Sequence, residues 1–319
     1  MAAFHRRGLG RRPLAASGGL RLPCNSGKEQ AVNDAELAAL LEWCAPRLGL
    51  RWRGFSNVRG QVCKRIARRI REQGLTDVAA YRALLEGDPA EWTALEQLCV
   101  VTLSRFYRDA TVWQALEREV LPQLAVAAQA VAAQTAASQA VASQTTQHAA
   151  LRCWSVGCAS GEEPYTLAIV WGLALAQQYP ALELRVLATD RHEPVLARAA
   201  RARYQHGTLQ ELPLHWRELA FQSEGGELLL RERFRRPVEL HAADAGSWLP
   251  TQTFQLILCR NVVFTYFDEQ RQREVLGRLL TCLAPGGAFL IAPRERLPES
   301  EQLEPWLSEQ GIFRKRPAP

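Results

Sequence analysis

No Cys-x-x-Cys pair occurs among the eight cysteines of this 319-residue chain, which stand at positions 24, 44, 63, 99, 153, 158, 259 and 282. That excludes a disulfide framework and the common zinc and redox spacings, and it is the usage of a reducing compartment. No apolar run approaches the ~20 residues of a membrane span, so the chain reads as soluble and cytoplasmic. No acid precedes Glu29, and Met1 to Gly27 holds five arginines without the apolar stretch of a secretory signal. A mitochondrial presequence fits that composition. A disordered arm or an over-called start codon over residues 1–32 fits it better, and the fold is expected to begin after it.

What is present points to about two domains. The charge is unevenly placed: residues 1–123 hold 19 Lys/Arg against 13 Asp/Glu, whereas residues 124–319 hold 20 of each. A basic front part beside a neutral one suggests an acidic macromolecular partner, although a solvated face would have the same composition. Asn33-Asp34 reads as the cap of a first helix with Leu37, Leu40, Leu41 and Cys44 on one face. Arg47 to Arg71 carries nine Lys/Arg and no acid. Its helical part sets Val62, Ile66 and Ile70 inward and Lys64, Arg65, Arg68, Arg69 and Arg71 elsewhere. With two further helices, residues 33–123 read as an all-α domain. Its basic helix, residues 59–71, suits an acidic protein better than nucleic acid, because no interleaved aromatics accompany it.

Thr102 to Asp109 is a polar patch before a helix, Ala110 to Leu121, that is expected to stop at Pro122 with Asp109 as its N-cap. Residues 124–150 are Ala/Gln-rich, with glutamines five apart. Five is not a helical period, so this stretch reads as a linker.

From Leu151 the pattern alternates strand and helix. The strand Cys153 to Val156 runs into Gly157-Cys158-Ala159-Ser160-Gly161 and then the helix Glu162 to Gln178, with Pro164 in its first turn. A strand, a glycine turn and a helix N-terminus offer backbone N–H groups to a ligand. The glycines are four apart, so this is neither Gly-x-Gly-x-x-Gly nor a phosphate loop. Glu162 and Glu163 would repel a pyrophosphate but suit an ammonium or sulfonium ligand such as S-adenosylmethionine. An acidic first turn that merely suits the helix dipole is the bland alternative.

A second strand, Leu184 to Thr189, ends at Asp190, where nucleotide-binding α/β sheets take up ribose hydroxyls; a cap for the following helix is the alternative. A hairpin around 219–233 turning on Gly225-Gly226, strands ending near Asp244 and at Arg260-Asn261, a helix Phe267 to Leu283, a fifth strand Ala288 to Ala292 and a terminal edge strand Ile312 to Arg316 complete a doubly wound α/β sheet.

Trp154-Ser-x-Gly-Cys-x-x-Gly-Glu-Glu-Pro-Tyr165, Ala188-Thr-Asp190, Cys259-Arg-Asn-Val262, Leu283-x-Pro-Gly-Gly287 and Phe106-Tyr-Arg-Asp109 together resemble the chemotaxis receptor protein-glutamate O-methyltransferases (CheR type). The likeness runs from about Asp34 to Arg316. It implies a Rossmann-like class I methyltransferase sheet over residues 151–319 and S-adenosylmethionine as donor, with S-adenosylhomocysteine as product and no metal. It further implies that Gly157 and Glu163 hold the methionine end and Asp190 the ribose. Asp244-Ala245 and Asn261-Val262 would flank the adenine and the methyl donor, and Thr102, Ser104 and Arg108 would reach over from the helical domain. The basic helix would dock the acidic cytoplasmic part of a chemoreceptor.

The chain departs from that pattern in three places. Thr102-x-Ser104 stands where the family has Asn-x-Thr. Thr265 occupies the place of the family tyrosine, with Tyr266 one residue later. The hairpin region is short, so binding of a receptor tether peptide is not implied. An ionised glutamate acceptor, of reference pKa ~4.3, needs no general base, so the task is in-line alignment. Arg108 and Tyr266 are the candidates to hold and orient the acceptor. The competing readings are a methyltransferase of another protein or of a small carboxylic acid, and a non-catalytic S-adenosylmethionine-binding adaptor. A nicotinamide dehydrogenase is least favoured by the glycine spacing.

Overall fold

The computed structural model describes residues 34–56, 58–99, 104–138 and 149–317. Asn33, expected to cap the first helix, and Thr102, expected in the site, lie outside the described residues.

The N-terminal part is all-α: α1 (Asp34–Cys44), α2 (Arg59–Glu72), α3 (Val78–Gly87) and α4 (Pro89–Leu98). The stripes seen in the sequence close one core. Leu37, Leu40, Leu41 and Cys44 of α1 meet Val62, Ile66 and Ile70 of α2, as a 3.6-residue period requires of packed helices. The starts of α3 and α4 are each set by a cap. Asp77 accepts from the Ala80 N–H and Asp88 from the Ala90 N–H, both at 2.8 Å, and Pro89 enters α4 at its first position.

The chain does not stop at Pro122. Helix α5 (Ala110–Ala115) passes through a π-helical turn, Leu116–Val120, into α6 (Leu121–Ser138). The wider turn lets the helix take in a proline that lacks an N–H. Leu121, Leu124, Ala125 and Ala128 are buried in the main core. The Ala/Gln stretch therefore begins as a packed helix, with small residues turned to the sheet, and not as a linker from residue 124. Of the expected linker, residues 139–148 lie outside the described ones.

Seven strands form the main sheet: β1 (Ala149–Val156), β2 (Leu182–Asp190), β3 (Val238–Ala242), β4 (Phe254–Leu258), β5 (Leu283–Leu290), β6 (Leu303–Leu307) and β7 (Ile312–Lys315). Their order is β3-β2-β1-β4-β5-β7-β6. The first five are parallel, and β7 runs antiparallel to both β5 and β6. The terminal strand is thus internal, and the edge belongs to β6, which the sequence reading missed. Pro305 sits in β6, a placement that edge strands tolerate and that makes the segment read as loop. The hairpin turns on Gly225-Gly226 as expected, with both glycines at positive φ, and Arg203–Tyr204 adds a third short strand to it. Cores form on both faces of the sheet, which is why the C-terminal halves of β1 and β2, Cys153 to Val156 and Val186 to Thr189, are buried without a break.

Candidate active site

The order of the sheet reverses between β1 and β4, so the crevice beyond their C-terminal ends is the natural ligand site. A cavity lies there. The tips of β1 to β4 line it from below, and Leu50, Phe55, Glu96 and Cys99 of the helical domain line it from above. Of the residues proposed from sequence, Ser104, Arg108, Gly157, Glu163, Asp190, Asp244, Ala245, Asn261, Val262 and Tyr266 all line it.

Several N–H groups of the glycine loop are committed within the fold: those of Gly157 and Cys158 donate to the Thr189 carbonyl at 2.8 and 2.9 Å, and that of Gly161 to the Cys158 carbonyl at 3.0 Å. The loop also offers shape. Gly157 has φ +71°, and a Cβ there would come within 2.4 Å of Val262 Cγ2. Only glycine lets the tips of β1 and β4 close up to one another.

Asp190 is not the cap of the next helix. That place belongs to His192, whose side chain makes no capping bond. The Asp190 carboxylate accepts from the Ala159 N–H at 3.0 Å and the His192 N–H at 2.9 Å. One backbone donor on each oxygen fixes the carboxylate while leaving lone pairs directed outward.

The two glutamates of the first helical turn also part company, since neighbours on a helix point in different directions. Glu163 lines the cavity and Glu162 does not. Glu162 is buried with Oε2 unpartnered. Glu163 accepts from Ser155 Oγ at 2.8 Å and lies 3.5 Å from Arg260 Nη1. Burial pushes both carboxyl groups above the ordinary range; at Glu163 the Arg260 charge opposes the rise most.

Arg260 was not foreseen as a site residue. It is buried, and it donates to Asp109 Oδ2 at 2.5 Å and to the Arg108 carbonyl at 3.0 Å. Asp109 stands at the N-cap of α5, as expected, but its side chain makes no capping bond: its φ is +61° and its carboxylate belongs to Arg260. Tyr107, on the other side of Arg108, also has positive φ, at 60°. An aromatic residue rarely adopts that region without being held. Here Thr166 Oγ1 accepts from the Tyr107 N–H at 3.1 Å, and the ring packs between Trp113 and Trp216. The strained turn brings Arg108 to the cavity, and its charge opposes the rise that burial causes at Glu163 and Tyr266. Tyr266 stacks obliquely on Phe55 at 5.1 Å. The Thr265 hydroxyl turns away to Glu295.

At the far end, Asp244 Oδ1 accepts from the Gly246 N–H at 2.6 Å. Its Oδ2 lies 3.6 Å from Arg191, which pairs with Glu96 of α4 at 2.7 Å. No local signal could reveal these partners, because Glu96 and Arg191 meet across 95 residues.

A doubly wound sheet of this order, with an antiparallel seventh strand and an acidic residue at the tip of β2, defines a Rossmann-like methyltransferase. Residues 102–312 match the family model described as "CheR methyltransferase, SAM binding domain", and residues 56–98 match "CheR methyltransferase, all-alpha domain". A chemotaxis protein methyltransferase of Klebsiella aerogenes is 31% identical over 253 residues, covering 76% of this chain and 77% of its own. That of Escherichia coli is 27% identical over 280 residues, covering 85% and 88%. The chain belongs to the CheR methyltransferase family and is an S-adenosylmethionine-dependent enzyme.

Proposed function

We propose that the protein methylates a glutamate side chain in the cytoplasmic part of a chemotaxis-type receptor. One observation carries the reading: a cation (Arg108) from the segment before α5 and a phenol (Tyr266) from beyond β4 line the same cavity as Glu163 and Asp190. The residues suit the donor. Glu163 supplies a largely buried carboxylate for an ammonium group, and Asp190 keeps free lone pairs for ribose hydroxyls. Asp244-Ala245 and Asn261-Val262 line the walls between which an adenosyl group fits. Ser104 lines the same cavity from the segment that follows the helical domain.

The donor supplies a sulfonium-bound methyl group open to direct attack. The protein's part is alignment. Arg108 offers a guanidinium to grip the acceptor carboxylate through paired hydrogen bonds, and Tyr266 orients it against the methyl group. The acceptor oxygen gains the methyl and no proton has to move, so no base is required.

The basic helix α2 suits an acidic partner, with Arg59, Lys64, Arg68 and Arg71 exposed. Arg69 does not share in this, being committed to buried Glu91 at 2.6 Å. No helix among the described residues is long and apolar enough to cross a membrane, and a cytoplasmic enzyme acting on a receptor's inner face is the arrangement this reading requires. Incubation with methyl-labelled donor and receptor-containing membranes tests it. Label released as methanol by mild base is expected. Base-stable label, or none, would sink the acceptor assignment.

A further inference from the structure

The short helix that carries Tyr266 (Val263–Tyr266) is four residues long, so its last carbonyls cannot be satisfied within it. The helical domain satisfies them. The Arg51 guanidinium donates to the carbonyls of Phe264 and, at 3.3 Å, Thr265, and the Arg51 N–H donates to that of Tyr266 at 2.7 Å. Leu50 bridges to Phe267, and the Asp268 N–H donates to the Gly49 carbonyl at 3.0 Å. Gly54 lies so close that a Cβ would stand 2.2 Å from the Thr265 carbonyl oxygen. From the other side Glu295 accepts the Thr265 hydroxyl and, at 2.7 Å, the Ala292 N–H. The turn bearing the phenol is therefore gripped from two directions, and one grip crosses more than 200 residues of chain.

We propose that Arg51, seconded by Glu295, is a positioning residue for methyl transfer: it fixes the turn that aims Tyr266 into the cavity, making the helical domain a builder of the acceptor site. This rests on the methyl-transfer reading above. It explains how a tyrosine displaced by one position still lines the cavity. Thr265, where the family resemblance places tyrosine, is pinned to Glu295, and the extra residue carries the next side chain round to Phe55 and the cavity.

The test uses the full chain and four variants: Arg51→Ala, Arg51→Lys, Tyr266→Phe and the double Arg51→Ala/Tyr266→Phe. Binding of S-adenosylhomocysteine is measured by calorimetry and turnover with labelled donor on receptor membranes. Displacing an aligned group costs on the order of 10²-fold in rate, and Arg51→Ala is expected to lower kcat by roughly that factor with Kd for S-adenosylhomocysteine unchanged. Arg51→Lys, which keeps one donor, should recover part of it. The double variant should be no slower than Tyr266→Phe alone, because both changes disable one group. Multiplying losses in the double variant, or full turnover by Arg51→Ala, would overturn the proposal. Should Arg51→Ala fail to fold, Thr265→Val loosens the turn from the Glu295 side, and the same non-multiplication with Tyr266→Phe decides the matter. A wild-type protein that binds no S-adenosylhomocysteine would overturn the donor reading itself. Binding and turnover with multiplying losses would overturn only the role given to Arg51.

Discussion

Two glutamates, Glu91 buried in the helical domain and Glu163 largely buried at the cavity, have opposite fates. Glu91 in the helical domain is closed in by partners: Arg69 donates to both oxygens at 2.9 and 2.6 Å, and Tyr81 adds its hydroxyl at 2.7 Å. Those bonds, Arg69's foremost, hold its carboxyl below the ordinary range despite burial. Glu163 in the cavity has one hydroxyl at hydrogen-bond distance and a guanidinium farther off, and burial wins, pushing it up. Around Glu163 polar groups stay unfinished: Glu162 Oε2 and Arg260 Nε are buried without partners. A charge that is fully satisfied in the folded chain serves the fold, whereas an incompletely satisfied one at a cavity waits for a ligand.

The largest break of that contrast is Arg69→Ala. It strands the Glu91 charge in the core and should cost about 3 kcal/mol of stability, read by denaturant unfolding, with donor affinity of the folded fraction unchanged. A loss confined to donor binding would reverse the roles of the two glutamates. Arg108→Ala should leave stability and most donor affinity in place. Loss of a group that aligns or stabilises the reacting atoms should lower kcat by roughly 10² to 10³-fold, and equal wild-type and variant kcat would remove its role. Asp190→Ala should weaken donor binding by roughly 10-fold or more, the usual worth of hydrogen bonds to a charged group. Unchanged affinity by calorimetry counts against the ribose assignment.

The smallest effect is the sharpest, because its sign differs between the two sites. Glu91, with its folded pKa lowered, contributes stability that is present above the ordinary carboxylate pKa and lost as pH falls through the lowered value. Glu163, with its folded pKa raised, contributes stability that is present below the ordinary value and lost as pH rises through the raised one. Glu163→Gln should therefore raise Tm at neutral pH by a few degrees, about what 1 kcal/mol gives a domain of this size, while weakening the donor. Glu91→Gln should lower Tm at neutral pH and flatten the acid limb of the stability profile. Scanning calorimetry from pH 3 to 8 (a range set by the ordinary carboxylate value of ~4) separates them.

Much of the site was legible because it is local. Gly157, Glu163, Asp190 and Asn261 each lie at or after the end of a strand that holds an apolar run, Asp244 follows the alternating edge strand Val238–Ala242, and parallel strands end on one rim. The misses share a different cause. Asp109 takes the cap position that its neighbours announce, but its carboxylate is claimed by Arg260 across 151 residues. Pro122 looked like a stop because the π turn that absorbs it has no sequence signature. The Gly157 and Cys158 N–H groups looked free because their acceptor, Thr189, lies on the next strand.

By itself the amino-acid sequence determined the alternation of helix and strand, the two kinds of domain and the order of chemical groups along the rim, since these depend on periodicity and on residues adjacent in the chain. Only the tertiary structure decided that Arg260 stands beside Glu163, what holds Arg108 in a strained turn, and how Arg51 reaches the turn of Tyr266. Those outcomes depend on distances between atoms far apart in sequence, and only packing brings such atoms together.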